Sequence, residues 1–381
     1  MDPVSDLLTR GVANIIPSKA ELEKVLRSER KLNVYLGIDP TSVHIHIGHA
    51  THLHRLQKLA DLGHHVTFLI GDFTALVGDT SDKDSERPIL TPDQIEANWQ
   101  TYKNQAEKII DFSKVAVRRN SEWLDKLSAR EILNLMFQFS LNDFNSRELI
   151  KKRLESGSSI RLPEAFYPAL QGYDSYSMDT DIQLGGSDQT FNMQAGRTLQ
   201  KSWRDKESFI LVGQFLTGTD GRKMSKSWGN AIWLDDSPND IYGKVMSIKD
   251  KLIDEYFLLA TNISKPEISN PMDLKKALAH QIVLELHSEA ASDAAQSYFE
   301  STFQQGQTPT DIPAHTLTST PTIVNALFES GLAISKSEAR RLVDQRGTAI
   351  DGQVVTSYND EVPSGATISV GSRKFAKIIL E

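Results

Sequence analysis

The sequence predicts an α/β fold in which a doubly wound parallel sheet is followed by an α-helical domain and a small α+β module. Two short apolar runs, LNVYLGID (32–39) and HVTFLIGD (65–72), flank a stretch with helical spacing at 49–62. A strand, a helix and a strand of these lengths imply parallel strands joined by a crossover. The pattern becomes helical after about residue 230, and short helices alternate with short strands after about residue 321.

The remaining elements follow in chain order. Those predicted for the sheet domain are a helix, a strand, a helix and two strands, at 92–113, 115–117, 128–156, 181–186 and 209–213. The next domain is predicted to be helical throughout from Pro238 to His287, because apolar residues recur there at i, i+4 spacing. Residues 301–320 carry one charge and many threonines, which is typical of a linker. Beyond them, helices are predicted at 323–330 and 335–345.

Composition limits the function classes. The chain has 381 residues, 39% apolar and 24% charged, which is ordinary for a soluble globular protein. With 42 basic and 50 acidic residues the net charge is −8, so any RNA contact must use local basic clusters. The chain has no cysteine, which excludes disulfides and thiolate zinc sites. We recognise no signal peptide and no membrane-spanning segment, and therefore expect no membrane partner and a cytoplasmic location.

Five histidines fall within VHIHIGHATHLH (43–54). One interpretation is a metal site, since His46 and His49 at i, i+3 share a helical face, but zinc needs about four ligands and no HExxH pattern is present. A second interpretation is a set of solvated histidines. A third is an anion site, because the stretch follows a strand and opens a helix whose free N–H groups attract phosphate. Gly48 would allow a ligand to approach the backbone closely.

A second motif, KMSKS (223–227), places two lysines three residues apart after a strand. Alone it would be interpreted as a surface loop. Together with HIGH (46–49), it resembles the signature of the class I aminoacyl-tRNA synthetases. The resemblance implies a Rossmann-like catalytic domain that activates an amino acid with ATP, and it implies that the histidines contact phosphate and not a metal.

Polar residues between the two motifs predict a small-molecule pocket. Tyr167, Gln171 and Asp174 are spaced by four and three residues and share one helical face, which is also compatible with a polar surface stripe. Asp188 and Gln189 follow a Gly-Gly turn at a strand end. The series YLGIDPT, HIGH, GDFTALVGD, YPALQGYD, LGGSDQ and KMSKS, in this order, resembles the tyrosyl-tRNA synthetases over essentially the whole chain. Alternatives are a tryptophanyl-type synthetase and a non-catalytic RNA-binding descendant of the fold.

The resemblance implies roles for matching residues. Tyr35 and Asp174 would bind the tyrosine hydroxyl, Asp79, Tyr167 and Gln171 the ammonium group, and Gln189 would lie near the carboxylate. Those implied for ATP are Gly37, Asp39, Gly48, Gly186, Asp188, Lys223, Met224, Ser225 and Lys226. Thr41 and His46 would contact the leaving pyrophosphate, His49 the ribose, and Lys223 and Lys226 the β- and γ-phosphates. ATP would enter with Mg²⁺, and no tightly bound protein metal is expected.

Two Gly-Asp pairs lie seven residues apart, and the resemblance assigns the functional aspartate to Asp79, which leaves Asp72 as a strand-end or turn residue. The loop after the second pair departs from the family pattern, because GDTSDKDS (78–85) stands where relatives often have GDPSGK or GDPTGK.

The resemblance also implies boundaries: a catalytic nucleotide-binding domain at 1–230 with a dimerisation insertion around 120–165, a helical anticodon-side domain at 231–300, and the linker at 301–320. The module at 321–381 resembles an RNA-binding module named after a small-subunit ribosomal protein. Expected partners are tRNA(Tyr), L-tyrosine, ATP and a second copy of the chain. The predicted RNA contacts are Lys151, Lys152, Arg153, Arg340, Arg341 and Arg346, for which an ordinary solvated face is the alternative.

Overall fold

The computed structural model of the chain describes residues 2–79, 90–145, 147–224, 228–304, 312, 314–317, 319–371 and 374–380. They form two compact units, Met1–Glu289 and Ala290–Glu381. The first unit contains a six-stranded sheet. Its strands are β1 (Val12–Ile16), β2 (Asn33–Ile38), β3 (His65–Ile70), β4 (Val115–Arg119), β5 (Ile182–Gly186) and β6 (Phe209–Gly213).

The strand order in this sheet is β1-β6-β5-β2-β3-β4. The five strands from β2 to β6 run parallel, as the sequence predicts, while β1 pairs antiparallel with β6. All residues of β5 and β6 are buried, because neighbours and helices cover them on every side. The order of the strands reverses between β2 and β5, so their carboxyl ends flank a crevice.

Helices cover both faces of this sheet and continue after it. They are α1 (Pro3–Leu7), α2 (Lys19–Leu26), α3 (Ile47–Asp61), α4 (Thr74–Val77), α5 (Pro92–Ala106), α6 (Ser121–Leu124), α7 (Ala129–Met136), α8 (Leu141–Asn145), α9 (Glu148–Glu155), α10 (Leu162–Ser177), α11 (Thr190–Arg204), α12 (Pro238–Met246), α13 (Ile253–Ala260) and α14 (Pro271–Leu286). Short 3₁₀ turns lie at Ser187–Gln189 and Asp250–Leu252. Among the helices described, none is both long enough and apolar enough to cross a membrane.

Two predictions of continuous helix are wrong. The stretch 128–156 is three helices, α7 to α9, because the Ser140 side chain accepts the backbone N–H of Asp143 and starts a new helix there. The stretch from Pro238 to His287 is also interrupted. Pro271 begins α14 with the Asn270 side chain as its cap, and the segment 261–270 before it is not helical.

The second unit is a small α+β structure. Its helices are α15 (Glu289–Phe299), followed by a π-helical turn at Glu300–Gln304, α16 (Ile323–Glu329) and α17 (Lys336–Asp344). Its strands are β7 (Ala314–Leu317), β8 (Thr348–Ile350), β9 (Gln353–Val354), β10 (Thr367–Val370) and β11 (Lys374–Leu380), in the order β7-β11-β10-β8-β9. Strand β7 lies inside the predicted linker and corrects it, because its backbone pairs in parallel with β11.

Candidate active site

A cavity of about 550 Å³ opens at the carboxyl ends of β2 and β5, where the strand order reverses. Ligands bind at this position in doubly wound sheets. The predicted pocket residues that line it are Tyr35, Gly37, Asp39, Thr41, His46, Gly48, His49, Asp79, Tyr167, Gln171, Asp174, Gly186, Asp188, Gln189, Lys223 and Met224. Ser225 and Lys226 lie outside the described residues. So do residues 80–85, in the loop GDTSDKDS that differs from the family pattern.

Asp174 on α10 is a buried carboxyl with two strong donors. It is 3% exposed, and its oxygens accept hydrogen bonds from Trp123 Nε1 at 2.7 Å and Asn120 Nδ2 at 3.1 Å. Burial raises the pKa of Asp174 to about 8, against the opposing effect of these two donors. The carboxyl therefore titrates near pH 8 instead of near pH 4, which is unusual for an aspartate and typical of a functional site.

Tyr35 on β2 lies opposite Gln183 on β5, and its hydroxyl donates to Gln183 Oε1 at 3.1 Å. Burial, with a smaller effect of the Asp174 charge, raises the pKa of Tyr35 well above its ordinary value. The phenol is thus neutral and keeps its proton. Tyr35 and Asp174 therefore line one partly apolar pocket, and each is able to form a hydrogen bond with a ligand hydroxyl.

Asp39, just after β2, joins three elements. One carboxylate oxygen accepts from the Thr74 hydroxyl at 2.7 Å, and the other accepts from the Tyr167 hydroxyl at 2.9 Å. Gly71 packs directly against this network, so that a Cβ at that position would collide with Asp39 Oδ1 and Thr74 Oγ1. Glycine is required at residue 71 for the close approach and not for an unusual backbone angle.

A second network links the loop after β3 to the start of α11. Gln189 Nε2 donates to Asp79 Oδ2 at 2.7 Å, and Asn192 Nδ2 donates to Gln189 Oε1 at 3.0 Å. The bond from Asn192 fixes which end of the Gln189 amide faces Asp79. The two predicted residues, Asp79 and Gln189, are therefore in direct contact.

The histidines at the start of α3 lie next to the segment that follows the lysine motif. The backbone N–H of Ile47 donates to the carbonyl of Ile232 at 2.9 Å, and His46 pairs with Trp233. Burial lowers the pKa of His49 to about 4 and lowers that of His46 well below its ordinary value. Both rings are neutral at pH 7 and act as hydrogen-bonding groups. Within the described ranges, no three histidine or carboxylate side chains are placed to hold a metal ion.

Lys223 carries the positive charge that the histidines lack. Its Nζ lies 3.9 Å from Asp188 Oδ2 and 5.0 Å from the ring centre of Phe215, at the edge of the pocket. The backbone carbonyl of Lys223 accepts a hydrogen bond from the buried Asn230 side chain at 3.1 Å. A lysine anchored by its backbone but half-exposed at its tip can move its charge toward an incoming anion.

Four pocket-network residues were not predicted: Thr74, Asn120, Trp123 and Gln183. Thr74 lies within GDFTALVGD and Gln183 directly precedes LGGSDQ, so both had a signal in the motifs. Asn120 and Trp123 follow β4, and only the position of a strand end indicates their importance. Asp72, predicted to be a strand-end or turn residue, lies in the turn after β3 and accepts from the Ser121 backbone N–H at 3.0 Å.

One predicted RNA contact is corrected. Lys151 and Lys152 on α9 are exposed, but Arg153 is 3% exposed and its guanidinium pairs with the buried Glu164 at 2.8 Å. A buried arginine that already satisfies a buried carboxylate is a structural cation, because separating the pair leaves an uncompensated charge. Arg340 and Arg341 on α17, and Arg346 just after it, lie outside the core of the second unit.

Large apolar side chains are exposed in the segment from α7 to α10, and a group of such side chains is typical of an interaction surface. Phe137 is 81% exposed and Leu162 is 85% exposed. The other large apolar side chains exposed there are Leu133, Met136, Leu141 and Leu154. All lie inside the predicted insertion around 120–165.

The chain matches two protein families and several tyrosine–tRNA ligases. The family described as tRNA synthetases class I (W and Y) matches residues 27–304, and the S4 domain matches residues 322–368. Tyrosine–tRNA ligase 2 of Clostridium acetobutylicum is 38% identical, over 100% of this chain and 99% of its own length. Tyrosine–tRNA ligase 2 of Vibrio vulnificus is 41% identical, over 98% and 97%.

Solved structures show the same fold at lower identity. A C-terminally truncated mitochondrial tyrosyl-tRNA synthetase of Aspergillus nidulans aligns with a TM-score of 0.67 at 23% identity, covering 79% of this chain and 94% of its own. Tyrosyl-tRNA synthetase from Archaeoglobus fulgidus, complexed with L-tyrosine, aligns with a TM-score of 0.60 at 21% identity, covering 77% and 99%.

Proposed function

Because this chain belongs to the tyrosyl-tRNA synthetases of class I, we propose that the cavity between β2 and β5 is the site where it performs their reaction. The chain activates L-tyrosine with ATP to tyrosyl-adenylate and pyrophosphate, and transfers the tyrosyl group to the 3′ end of its tRNA. The observation that supports this site is the buried pair Tyr35 and Asp174, which offers a para-hydroxyl two polar partners in a pocket of suitable size.

In the proposed tyrosine subsite, each polar group of the substrate is assigned to residues of the cavity that can form a hydrogen bond or an ion pair with it. Tyr35 and Asp174 bind the phenolic hydroxyl, and phenylalanine is disfavoured because it leaves these buried groups unpaired. Asp79, Tyr167 and Gln171 hold the ammonium group, for which the Asp79 carboxylate supplies the opposite charge. Gln189, already bonded to Asp79, lies near the substrate carboxylate.

The ATP subsite uses the backbone at both strand ends. Gly37, Gly48 and Gly186 let the nucleotide approach closely, Asp39 contributes at the end of β2, and Met224 lines the wall. Ser225, which lies outside the described residues, is proposed to bind ATP as well. Asp188 and His49 contact the ribose. Thr41, His46, Lys223 and Lys226 contact the phosphates. Neutral histidines suit this role, since they donate hydrogen bonds without competing with the lysines for charge.

The first step needs positioning more than proton transfer. The tyrosine carboxylate attacks the α-phosphorus in line, and the pocket holds both reactants and stabilises the charge that grows on pyrophosphate. We propose that ATP enters with Mg²⁺, which neutralises part of the triphosphate charge. The pocket offers carboxylate oxygens, the ligand type that Mg²⁺ prefers.

The test is amino-acid-dependent exchange of labelled pyrophosphate into ATP, with tyrosine, phenylalanine and tryptophan run separately. We expect efficient exchange with tyrosine, a far lower kcat/KM with phenylalanine and no exchange with tryptophan. Exchange with tryptophan would show that the pocket binds tryptophan and that its assignment to tyrosine is wrong. The absence of exchange with all three, in folded protein with Mg²⁺, would favour a non-catalytic RNA-binding role.

We also propose that the chain forms a homodimer through the exposed apolar side chains of α7 to α10. Phe137→Asp is expected to weaken the dimer by about 100-fold, as for a central interface residue, because a carboxylate cannot be buried there unpaired. Sedimentation equilibrium of the wild type and the variant measures this. Val354→Asp, at an exposed apolar residue of the second unit, is the matched control. A wild-type chain that sediments as a monomer would contradict the proposal.

The S4 domain supplies a tRNA-binding surface, for which we propose Arg340, Arg341 and Arg346 as phosphate contacts. Lys151 and Lys152 are proposed to meet the acceptor stem. Charge reversal at these two lysines should reduce tRNA charging and leave pyrophosphate exchange intact, and equal loss of both activities would argue against it. The location proposed is the cytoplasm, where tRNA, tyrosine and ATP occur together.

A further inference from the structure

We propose that Gln183 determines discrimination between tyrosine and phenylalanine, by fixing the Tyr35 hydroxyl so that its lone pairs and not its proton face the substrate. Gln183 does not line the cavity and acts through Tyr35, so it is a positioning residue. The inference rests on the proposed placement of the substrate hydroxyl beside Tyr35 and Asp174.

The Gln183 amide has only one orientation that satisfies its surroundings. It lies on β5 and is fully buried, and its Nε2 donates to the backbone carbonyl of Met193 at 2.9 Å. A carbonyl can only accept, so the nitrogen must face Met193 and Oε1 must face Tyr35. Gly196 on α11 encloses the same amide, since a Cβ there would lie 2.6 Å from Oε1.

This orientation fixes the direction of the next hydrogen bond. The Tyr35 hydroxyl has a single proton, and it donates that proton to Gln183 Oε1 at 3.1 Å. The tyrosine substrate therefore finds an acceptor at Tyr35 for its own O–H, whereas phenylalanine brings no donor. Without Gln183 the hydroxyl proton is able to turn toward the cavity, which Asp174 also lines. Tyr35 and Asp174 would then satisfy each other when phenylalanine is bound, and the penalty for phenylalanine would fall.

The experiment compares kcat/KM for tyrosine with kcat/KM for phenylalanine in pyrophosphate exchange. Gln183→Met keeps the length of the side chain and removes the acceptor, and it is expected to lower the Tyr:Phe ratio by about tenfold, the effect of one hydrogen bond. Gln200→Met is the matched control. Gln200 is equally buried and donates to the Ser175 carbonyl at 2.7 Å, away from Tyr35, so the ratio should be unchanged.

A structural defect alone would lower kcat/KM for both substrates equally, and that result, or an unchanged ratio, would overturn the inference. Gln183→Glu has the same size, and its buried carboxyl is expected to keep a proton that it donates to the Met193 carbonyl, so that its other oxygen still accepts from Tyr35 and the ratio stays near wild type. This variant remains decisive if Gln183→Met does not fold, since a tenfold lower ratio with the acceptor retained contradicts the inference.

Tyr35→Phe distinguishes a failure of the proposed hydroxyl site from a failure of the role proposed for Gln183. If it leaves the Tyr:Phe ratio unchanged, the proposed hydroxyl site fails as well. If it lowers the ratio and Gln183→Met does not, only the role of Gln183 fails.

Discussion

Asp174→Asn is expected to lower kcat/KM for tyrosine in pyrophosphate exchange by about 100-fold. Asp174 accepts from Trp123 through one oxygen and from Asn120 through the other, whereas an amide has one oxygen and turns an NH₂ group toward one of these donors, which displaces the side chain from the substrate hydroxyl. Exchange rates at varied tyrosine concentration measure the loss. Asp72→Asn is the matched control, because Asp72 lies outside the cavity lining and caps the Ser121 turn. Near-wild-type activity of Asp174→Asn would remove Asp174 from hydroxyl recognition.

The same substitution should change the pH dependence of stability. The pKa of Asp174 is raised from 3.8 to about 8 in the folded chain. Between these values the folded state binds a proton that the unfolded state has released, so the free energy of unfolding falls as pH rises through this window. Asparagine does not titrate. Between pH 5 and pH 8, the Tm of Asp174→Asn should therefore rise relative to the Tm of the wild type as pH rises. A constant difference would mean that the carboxyl is ionised throughout.

Gly71→Ala is the second substitution with a large expected effect. A methyl group at residue 71 would occupy the space of Asp39 Oδ1 and Thr74 Oγ1, and displacement of Asp39 would also break its bond from Tyr167. Since geometry at a reacting centre is sensitive to shifts of about 1 Å, we expect kcat/KM to fall by about 100-fold or more.

Gly243→Ala provides the matched control for this change. Gly243 is in α12, and a Cβ added there would meet no atom within 4 Å, so alanine should stabilise the helix by about 0.5–1 kcal/mol. Pyrophosphate exchange and thermal unfolding, measured on both variants, distinguish an effect on the active site from an effect on the stability of the whole chain. Full activity in folded Gly71→Ala would show that the Asp39 network tolerates movement.

The parallel strands and the pocket residues were predictable because each carries a local signal, either an apolar run or a motif at a strand end. Residues whose role depends on tertiary neighbours were not. Arg153 follows two exposed lysines and resembles them in sequence, yet Glu164 lies where it can pair with it in the interior. Trp123 contacts Asp174 only because the fold packs α6 against α10.

The first strand was not predicted either, because VANII is apolar at four of its five residues and lacks the alternation of apolar and polar residues that indicates a half-buried edge strand. That strand has a consequence for solubility. By pairing with β6, β1 occupies an edge that would otherwise present unpaired backbone groups to other molecules. The opposite edge strand, β4, instead ends in Arg118 and Arg119, whose charges discourage strand addition. Removal of the first sixteen residues would therefore leave the apolar strand β6 unpaired at the edge of the sheet. We expect such a chain to aggregate, because the unpaired edge can pair with strands of other molecules.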